Sequence, residues 1–148
     1  MSAKHAGRLE WSEALTTGVA EIDEQHMILV HTLNAASEKL AIESSAETLG
    51  EITQDLLSYA LYHFDTEEEL MQQYGYQAGS ADDAQLHLEQ HRSFSNKVVS
   101  VREGLKTGVL IAPEALIGFL NDWLLNHIQN TDKRLARFIL DKRGSATA

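Results

Sequence analysis

The chain has 148 residues, enough for one domain that buries roughly two thirds of the surface of its unfolded state. It has no cysteine, which excludes disulfides, iron-sulfur clusters, thiolate zinc sites and covalently attached haem, so any metal must bind through nitrogen and oxygen. A formal net charge of -10 argues against nucleic acid or an anionic membrane as the main partner.

Residues 1–17 are predicted to form an amino-terminal arm, in which Leu9, Trp11 and Leu15 are expected to fold back on the body of the protein. The first residues lack the apolar core of a signal peptide. No stretch reaches the roughly 20 apolar residues that a membrane-spanning helix needs. We therefore expect a cytoplasmic protein without a membrane partner, either a monomer or a weak homo-oligomer.

The first two long helices are predicted from apolar residues that recur at helical intervals. The first helix runs from about Val19 to Ala41. Residues Ser44 to Glu47 have the Ser-x-x-Glu form of a capping box, which satisfies the free amides at a helix start. The second helix therefore begins there, and it is expected to end near Tyr74.

The third helix is predicted after a break at residues 75–79. Ser80 suits its amino-terminal cap, and the helix should continue to Lys106, where Gly108 stops it. The segment from Tyr74 to Leu86 is treated as a long loop between the second and third helices and is a candidate lid or partner surface, although a harmless surface insertion is the simpler interpretation.

The fourth helix is predicted to begin at Pro113, because a proline in the first turn loses no hydrogen bond. It should end near Lys142, before Gly144, and residues 144–148 are expected to be a disordered tail. Four long helices with short connections pack antiparallel. The sequence therefore predicts an all-α, up-down-up-down antiparallel four-helix bundle in a single domain, residues 1–148.

Histidines and carboxylates recur along these helices at spacings that suit a metal site. His63 and Glu67 are four residues apart, so both leave one helix face, and His87 and His91 repeat this spacing. Such a pair alone is more often a surface ion pair. In an antiparallel bundle, however, all the candidate positions fall toward the same end. The candidate metal ligands are His26, His63, Glu67, His87, His91, His127 and Asp132.

Five imidazoles and two carboxylates are too many donors for one tetrahedral zinc, which takes four. Two metal ions fit better. If both carboxylates bridge and a hydroxide joins the ions, about eleven of the twelve positions of two octahedral ions are filled and one stays open. These donors suit iron, zinc, nickel or copper, so donor type alone does not select the metal.

Four segments carrying these residues resemble the bacterial hemerythrins, a family of non-haem di-iron oxygen-binding proteins. They are IDEQH at 22–26, HFDTEEELM at 63–71, HLEQH at 87–91 and WLLNHIQNTD at 123–132. The segments span nearly the whole chain in the family's order, and every metal-ligand position of the family is filled.

The resemblance implies two iron ions, bridged by Glu67, Asp132 and an oxo or hydroxo group. It implies that His26 and His63 hold one iron and that dioxygen binds there. The other iron would be held by His87, His91 and His127. Residues next to the ligands also match the family's apolar oxygen pocket, although at helical spacing they would be core residues in any bundle. These pocket candidates are Leu29, Phe64, Trp123, Leu124 and Ile128.

Three residues near the ligands have simpler interpretations. Asp23 is either a hydrogen-bond acceptor for a ligand imidazole or a first-turn carboxylate that the helix dipole favours. His31 lies five residues after His26, about 140° around a helix, and is expected at the surface. Glu68 is expected to point away from the ligands into solvent.

The leading functional hypothesis is reversible dioxygen binding for storage, transport or sensing, without enzymatic activity. The alternatives are a di-iron oxidase or peroxidase and a protein that handles iron or nitric oxide. Ferritin-like oxidases use Glu-x-x-His motifs, and this sequence contains none, which favours binding over oxidation.

Overall fold

The computed structural model describes residues 9–43, 45–109 and 111–147, with side chains described as far as Gly144. All of its long elements are helices, and the part of the chain that it describes contains no strand. The helices are α1 (Ala20–Ile42), α2 (Ala46–Tyr74), α3 (Tyr76–Gly79), α4 (Ala81–Lys106), α5 (Pro113–Asn126) and α6 (Lys133–Thr147). A π-helical segment (His127–Asp132) joins α5 to α6, so these three form one long fourth helix.

The four long helices are antiparallel, as the contacts between α1 and α2 illustrate. Gln25 near the start of α1 meets Thr66 near the end of α2. Lys39 near the end of α1 meets Glu51 near the start of α2. The same reversed order relates α4 to α2 and the fourth helix to α4. The predicted up-down-up-down four-helix bundle is therefore confirmed.

The bundle interior consists of two apolar clusters with a polar layer between them. The larger cluster includes Leu33, Leu56, Phe94 and Leu120. The smaller one surrounds Ile139. On each long helix the candidate metal ligands fall at the boundary between the two clusters. Apolar burial in both clusters, at roughly 25 cal/mol per Å², therefore holds the four helices that bring the ligands together.

The amino-terminal arm folds back on the bundle, as the sequence predicts, for the part that is described. The Leu9 amide donates to the side chain of Asn34 at 2.8 Å, and the Asn34 amide donates to the Leu9 carbonyl at 2.8 Å. Leu9 and Leu15 are buried in the larger cluster, and Trp11 packs against it. Residues 1–8 of the predicted arm lie outside the described residues.

The cap of α2 lies one residue later than the sequence predicts. The Ser45 hydroxyl accepts a hydrogen bond from the Thr48 amide, so Ser45 is the cap, and Ser44 lies outside the described residues. At the start of α4, Ser80 occupies the predicted cap position but makes no capping hydrogen bond through its side chain. Gly108, with φ of 89°, follows the end of α4 as predicted.

The predicted long loop between Tyr74 and Leu86 is not present. The chain turns at Gly75, whose φ of 72° is in the left-handed region, and then forms α3 before α4 begins at Ala81. Tyr76 is buried, and its ring contacts that of Phe138 at 5.1 Å. This connection is therefore packed into the smaller cluster, which argues against a lid or a loose insertion.

The last helix also extends beyond its predicted end near Lys142. Its backbone stays helical to Thr147, and Gly144 is not among the glycines with positive φ, so it does not terminate the helix. The helical backbone of residues 144–147 corrects the prediction of a disordered tail, and Ala148 lies outside the described residues.

None of the described helices is long and apolar enough to cross a membrane. The cytoplasmic location and the oligomeric state stay predictions.

Candidate metal centre

Seven buried side chains from all four long helices converge between the two apolar clusters. Each is at most 4% exposed. They are the predicted ligands His26 from α1, His63 and Glu67 from α2, His87 and His91 from α4, and His127 and Asp132 from the π segment.

Three histidines gather around one oxygen of each carboxylate. His91 Nε2 lies 2.9 Å from Glu67 Oε1, and His87 Nε2 lies 3.1 Å from the same oxygen. His87 and His127 each place Nε2 3.0 Å from Asp132 Oδ1. These five side chains place one ligand atom each within 4.8 Å of the others, a spacing that can enclose a metal ion.

Two histidines gather around the other oxygen of each carboxylate. His63 Nε2 lies 3.3 Å from Glu67 Oε2, and His26 Nε2 lies 2.7 Å from Asp132 Oδ2. These four residues form a second group with ligand atoms within 4.8 Å. Glu67 and Asp132 therefore each turn one oxygen to either group, which is the arrangement that two bridging carboxylates require.

The same atoms lack hydrogen-bond partners, although they are buried. Among the described residues no hydrogen-bond partner is found for Nε2 of His26, His63 and His127, for Oε2 of Glu67 or for either carboxylate oxygen of Asp132, because their close approaches are not aligned for hydrogen bonds. Leaving buried polar atoms unpaired costs about 1–3 kcal/mol each. Metal ions bound at both groups would satisfy these atoms, so the residues fit a two-metal centre.

In the metal-free centre, Glu67 and Asp132 are ionised and raise the pKa of neighbouring imidazoles. Burial lowers the pKa of His26, but the negative charges of the nearby Asp132 and Glu67 carboxylates outweigh it and raise this pKa to about 9. The pKa of His87 is raised to about 10 by the same carboxylates, again against burial. Burial alone would raise the pKa of Glu67, but His63 and His87 hold it well below its usual range.

We therefore expect metal loading to release protons. Near pH 7, His26 and His87 carry protons that must leave before their nitrogens can bind a metal. The pKa of His127 is raised as well, by Asp132 and Glu67 against the effect of burial. Titration of the metal-free protein with Zn²⁺ in weak buffer should therefore release at least two protons at pH 7 and progressively fewer as the pH rises through 9 to 10. Absence of proton release at pH 7 would contradict the assignment of these imidazoles as ligands.

A π-helical turn brings His127 and Asp132 onto one face. Residues five apart on an α-helix point about 140° apart, whereas π-helical hydrogen bonds join residues i and i+5 and bring such residues closer in direction. His26 and His31 have the same spacing in the regular helix α1, and His31 is exposed, as predicted. Sequence periodicity did not predict the π segment, although the spacing of His127 and Asp132 is its signal.

A small cavity of about 20 Å³ lies beside the centre in the larger apolar cluster. The imidazoles of His63 and His127 form part of its wall. Its other lining residues are Leu29, Leu33, Leu56, Ala60, Phe64, Phe94, Leu120, Trp123 and Leu124.

Ile128 is the pocket candidate that does not line this cavity. It is fully buried in the larger cluster, but consecutive residues of a helix point roughly 100° apart, so it faces away from the side that His127 presents to the cavity. Five of the lining residues were not among the predicted pocket or ligand residues. Leu33, Leu120 and Phe94 lie one turn from Leu29, Leu124 and His91, so helical spacing was the available signal.

Three of the five imidazoles make a hydrogen bond through Nδ1, the ring nitrogen that points away from the two carboxylates. His63 Nδ1 and His127 Nδ1 each lie 2.7 Å from a glutamine oxygen. His91 Nδ1 donates to Glu68 at 3.0 Å, so the prediction that Glu68 only faces solvent was wrong. A residue one position from Glu67 reaches this ring because α4 packs directly beside α2.

Asp23 has the second of its two predicted roles. It is a first-turn carboxylate of α1 whose oxygens accept hydrogen bonds from the Thr17 amide and hydroxyl and from the Gly18 amide. It therefore anchors the entry to α1, and the structure shows no contact of Asp23 with a ligand imidazole.

The sequence matches a known protein family over most of its length. Residues 17–139 match the hemerythrin HHE cation binding domain. A bacteriohemerythrin of Pseudomonas paraeruginosa is 35% identical over 124 residues, which cover 84% of this chain and 76% of the relative. A bacteriohemerythrin of Stenotrophomonas maltophilia is 32% identical over 86% of this chain and 79% of the relative. A hemerythrin-like protein of Naegleria gruberi is also 32% identical, over 84% of this chain and 87% of the relative.

The fold was compared with solved structures in the same way. The crystal structure of a wild-type hemerythrin superposes with a TM-score of 0.78 at 25% sequence identity. The match covers 88% of this chain and 97% of that one. The same bundle therefore recurs over nearly the whole of both chains.

Proposed function

Because the chain belongs to the hemerythrin family, we propose that it binds dioxygen reversibly at a non-haem di-iron centre. The observation that supports this most strongly is the pair of donor groups that share both carboxylates and adjoin an apolar cavity. In this proposal His87, His91 and His127 hold one iron, and His26 and His63 hold the other. Glu67 and Asp132 bridge the two ions, together with an oxo or hydroxo group.

Iron in such a centre supplies the electrons that bind dioxygen, and the protein supplies the site that receives it. The two-histidine group has fewer side-chain donors than the three-histidine group, so an open coordination position belongs there. His63 of that group lines the cavity. A ligand in the cavity is therefore next to the group with room to accept it.

The cavity suits a small, uncharged ligand. Its volume of about 20 Å³ exceeds the 10–15 Å³ that one water-sized molecule needs. Leu29, Phe64, Trp123 and Leu124 are among its walls, and among the described residues the other polar groups that line it are the imidazoles of His63 and His127. Such a site favours dioxygen over water, because water would lose hydrogen bonds there.

The lining also favours binding over oxidation chemistry. An oxidase or peroxidase commonly places a proton donor where the bond between the oxygen atoms breaks. In the part of the chain that the structure describes, no carboxyl, hydroxyl, phenol or lysine lines this cavity. We therefore expect the protein to release dioxygen unchanged and not to act as an enzyme.

An optical spectrum tests the proposal. Reduced, iron-loaded protein should develop a visible absorption band when air is admitted, and the band should disappear when oxygen is removed. Several cycles should give the same amplitude. A band that never appears, or that appears once and does not reverse, would contradict reversible binding.

Leu124 should protect the site from water. It lies one turn before His127, is 5% exposed and lines the cavity. Leu124→Ala enlarges the cavity and should admit water, so the reduced protein should oxidise in air severalfold faster. The rate is measured from the decay of the oxygen-dependent band.

Leu49→Ala is the matched control. Leu49 is also buried in the larger cluster but does not line the cavity. Both substitutions should destabilise the fold by about 2–5 kcal/mol. Equal oxidation rates in a folded Leu124→Ala variant and in the control would show that Leu124 does not protect the centre.

A further inference from the structure

We propose that Gln25 and Gln90 are a matched pair of positioning residues, each of which fixes the ring orientation and tautomer of one cavity-lining histidine. The inference rests on the proposed metal centre and adds two residues to it. Gln25 acts on His63 of the two-histidine group, and Gln90 acts on His127 of the three-histidine group.

Gln25 orients His63 from the neighbouring helix. It is 8% exposed, and its amide nitrogen donates to the Thr66 hydroxyl at 3.1 Å. This leaves its oxygen facing His63 Nδ1 at 2.7 Å. Because an amide oxygen only accepts hydrogen bonds, Nδ1 must carry the proton. Nε2 then has a lone pair available for a metal, on the side where Glu67 lies.

Gln90 orients His127 by a different connection. Its oxygen accepts a hydrogen bond from the buried Thr131 hydroxyl at 2.7 Å and lies 2.7 Å from His127 Nδ1. If the amide were reversed, the nitrogen would face both groups and the imidazole would have to accept through Nδ1. The threonine hydroxyl can pair with either end of the amide, but an Nε2 that binds a metal requires the proton on Nδ1 and therefore selects the orientation in which the Gln90 oxygen faces the ring.

The other three imidazoles have no such amide. His91 donates to Glu68, a side chain that is 42% exposed. Nδ1 of His26 and of His87 has no hydrogen-bond partner in the described residues. The glutamines therefore bind the two imidazoles that are metal-ligand candidates and also line the cavity. Rotation of either ring would alter metal binding and cavity shape together.

A neutral acceptor also sets how strongly the imidazole donates to the metal. A carboxylate in place of Gln25 or Gln90 would draw the Nδ1 proton more strongly and make the ring a better donor to ferric iron. An apolar side chain would remove the hydrogen bond altogether. Substitutions to Glu and to Leu should therefore change the reduction potential in opposite directions.

The test uses full-length Gln25→Glu, Gln25→Leu, Gln90→Glu and Gln90→Leu variants. The Glu variants should lower the reduction potential of the iron-loaded protein, and the Leu variants should raise it and weaken iron binding about 10- to 100-fold. Gln129→Glu is the charge control, since Gln129 is exposed in the same π segment as His127. It should change the potential much less.

A second measurement does not depend on iron or oxygen. In Zn²⁺-loaded protein labelled with ¹⁵N at histidine, the Nδ1 proton of His63 should show a downfield, slowly exchanging signal. The signal should persist in Gln25→Glu and be lost in Gln25→Leu. This result would support the positioning role even if reversible oxygen binding failed its own test.

The threonines provide variants that leave both glutamines in place. Thr66→Val and Thr131→Val should weaken the signals of His63 and His127 respectively, with a smaller change than the Leu variants produce. The proposal is overturned if the Glu and Leu variants shift the potential in the same direction, or if the Nδ1 signal is unchanged in Gln25→Leu.

Discussion

Removal of the metal is expected to lower the midpoint of thermal unfolding by roughly 10 °C or more while most of the helix content remains. Five imidazoles and two carboxylates lie buried between two apolar clusters, and many of their polar atoms have no hydrogen-bond partner. A ligand present at about 1,000 times its dissociation constant stabilises the folded state by about 4 kcal/mol. For a domain of this size each kcal/mol raises the midpoint by roughly 2–4 °C.

Helix content should survive because the apolar clusters on both sides of the centre do not depend on the metal. The comparison is made by circular dichroism at pH 7 on iron-loaded, metal-free and zinc-reloaded protein. Zinc uses the same donor types, so reloading should restore most of the lost stability. Coincident melting curves for metal-free and loaded protein would contradict a metal site in the core.

Loss of the second iron is the expected result of Glu67→Gln. Glu67 is fully buried, and it places one oxygen near His87 and His91 and the other near His63. The amide keeps the shape but removes the negative charge and replaces one donor oxygen with a nitrogen that cannot bridge. Two ferrous or ferric ions would then be held close together with less compensating charge.

Iron content per chain should therefore fall from two to at most one after the same loading procedure. Glu69→Gln is the matched control, because Glu69 is on the same helix and is exposed. It should keep the full iron content. Two tightly bound irons in Glu67→Gln would show that this carboxylate does not bridge the centre.

The ligands could be predicted from sequence because their helices have regular periods. The spacing of four residues in His63 and Glu67, and again in His87 and His91, specifies a shared face wherever the helix lies. The antiparallel order follows from short connections. These two rules predicted that His63, Glu67, His87 and His91 would meet, whereas His26, His127 and Asp132 were predicted from their depth along the bundle and from the family resemblance.

The features that sequence analysis missed depend on neighbours that are distant in sequence. The π turn from His127 to Asp132 departs from regular helical periodicity, and its signal in the sequence is the five-residue spacing of two ligands that meet across the bundle. Glu68 contacts His91 only because α2 and α4 are adjacent. Tyr76 is buried because Phe138 covers it, so a segment that reads as a loop packs into the core.

Oxygen uptake and recovery test the central claim most directly. Reduced protein with two irons per chain is exposed to a measured amount of dioxygen, and the gas is then recovered under vacuum. We expect one dioxygen to be bound per iron pair and nearly all of it to be released intact. Continued consumption of dioxygen in the presence of a reductant, with little recovered, would contradict reversible binding and indicate an oxidase.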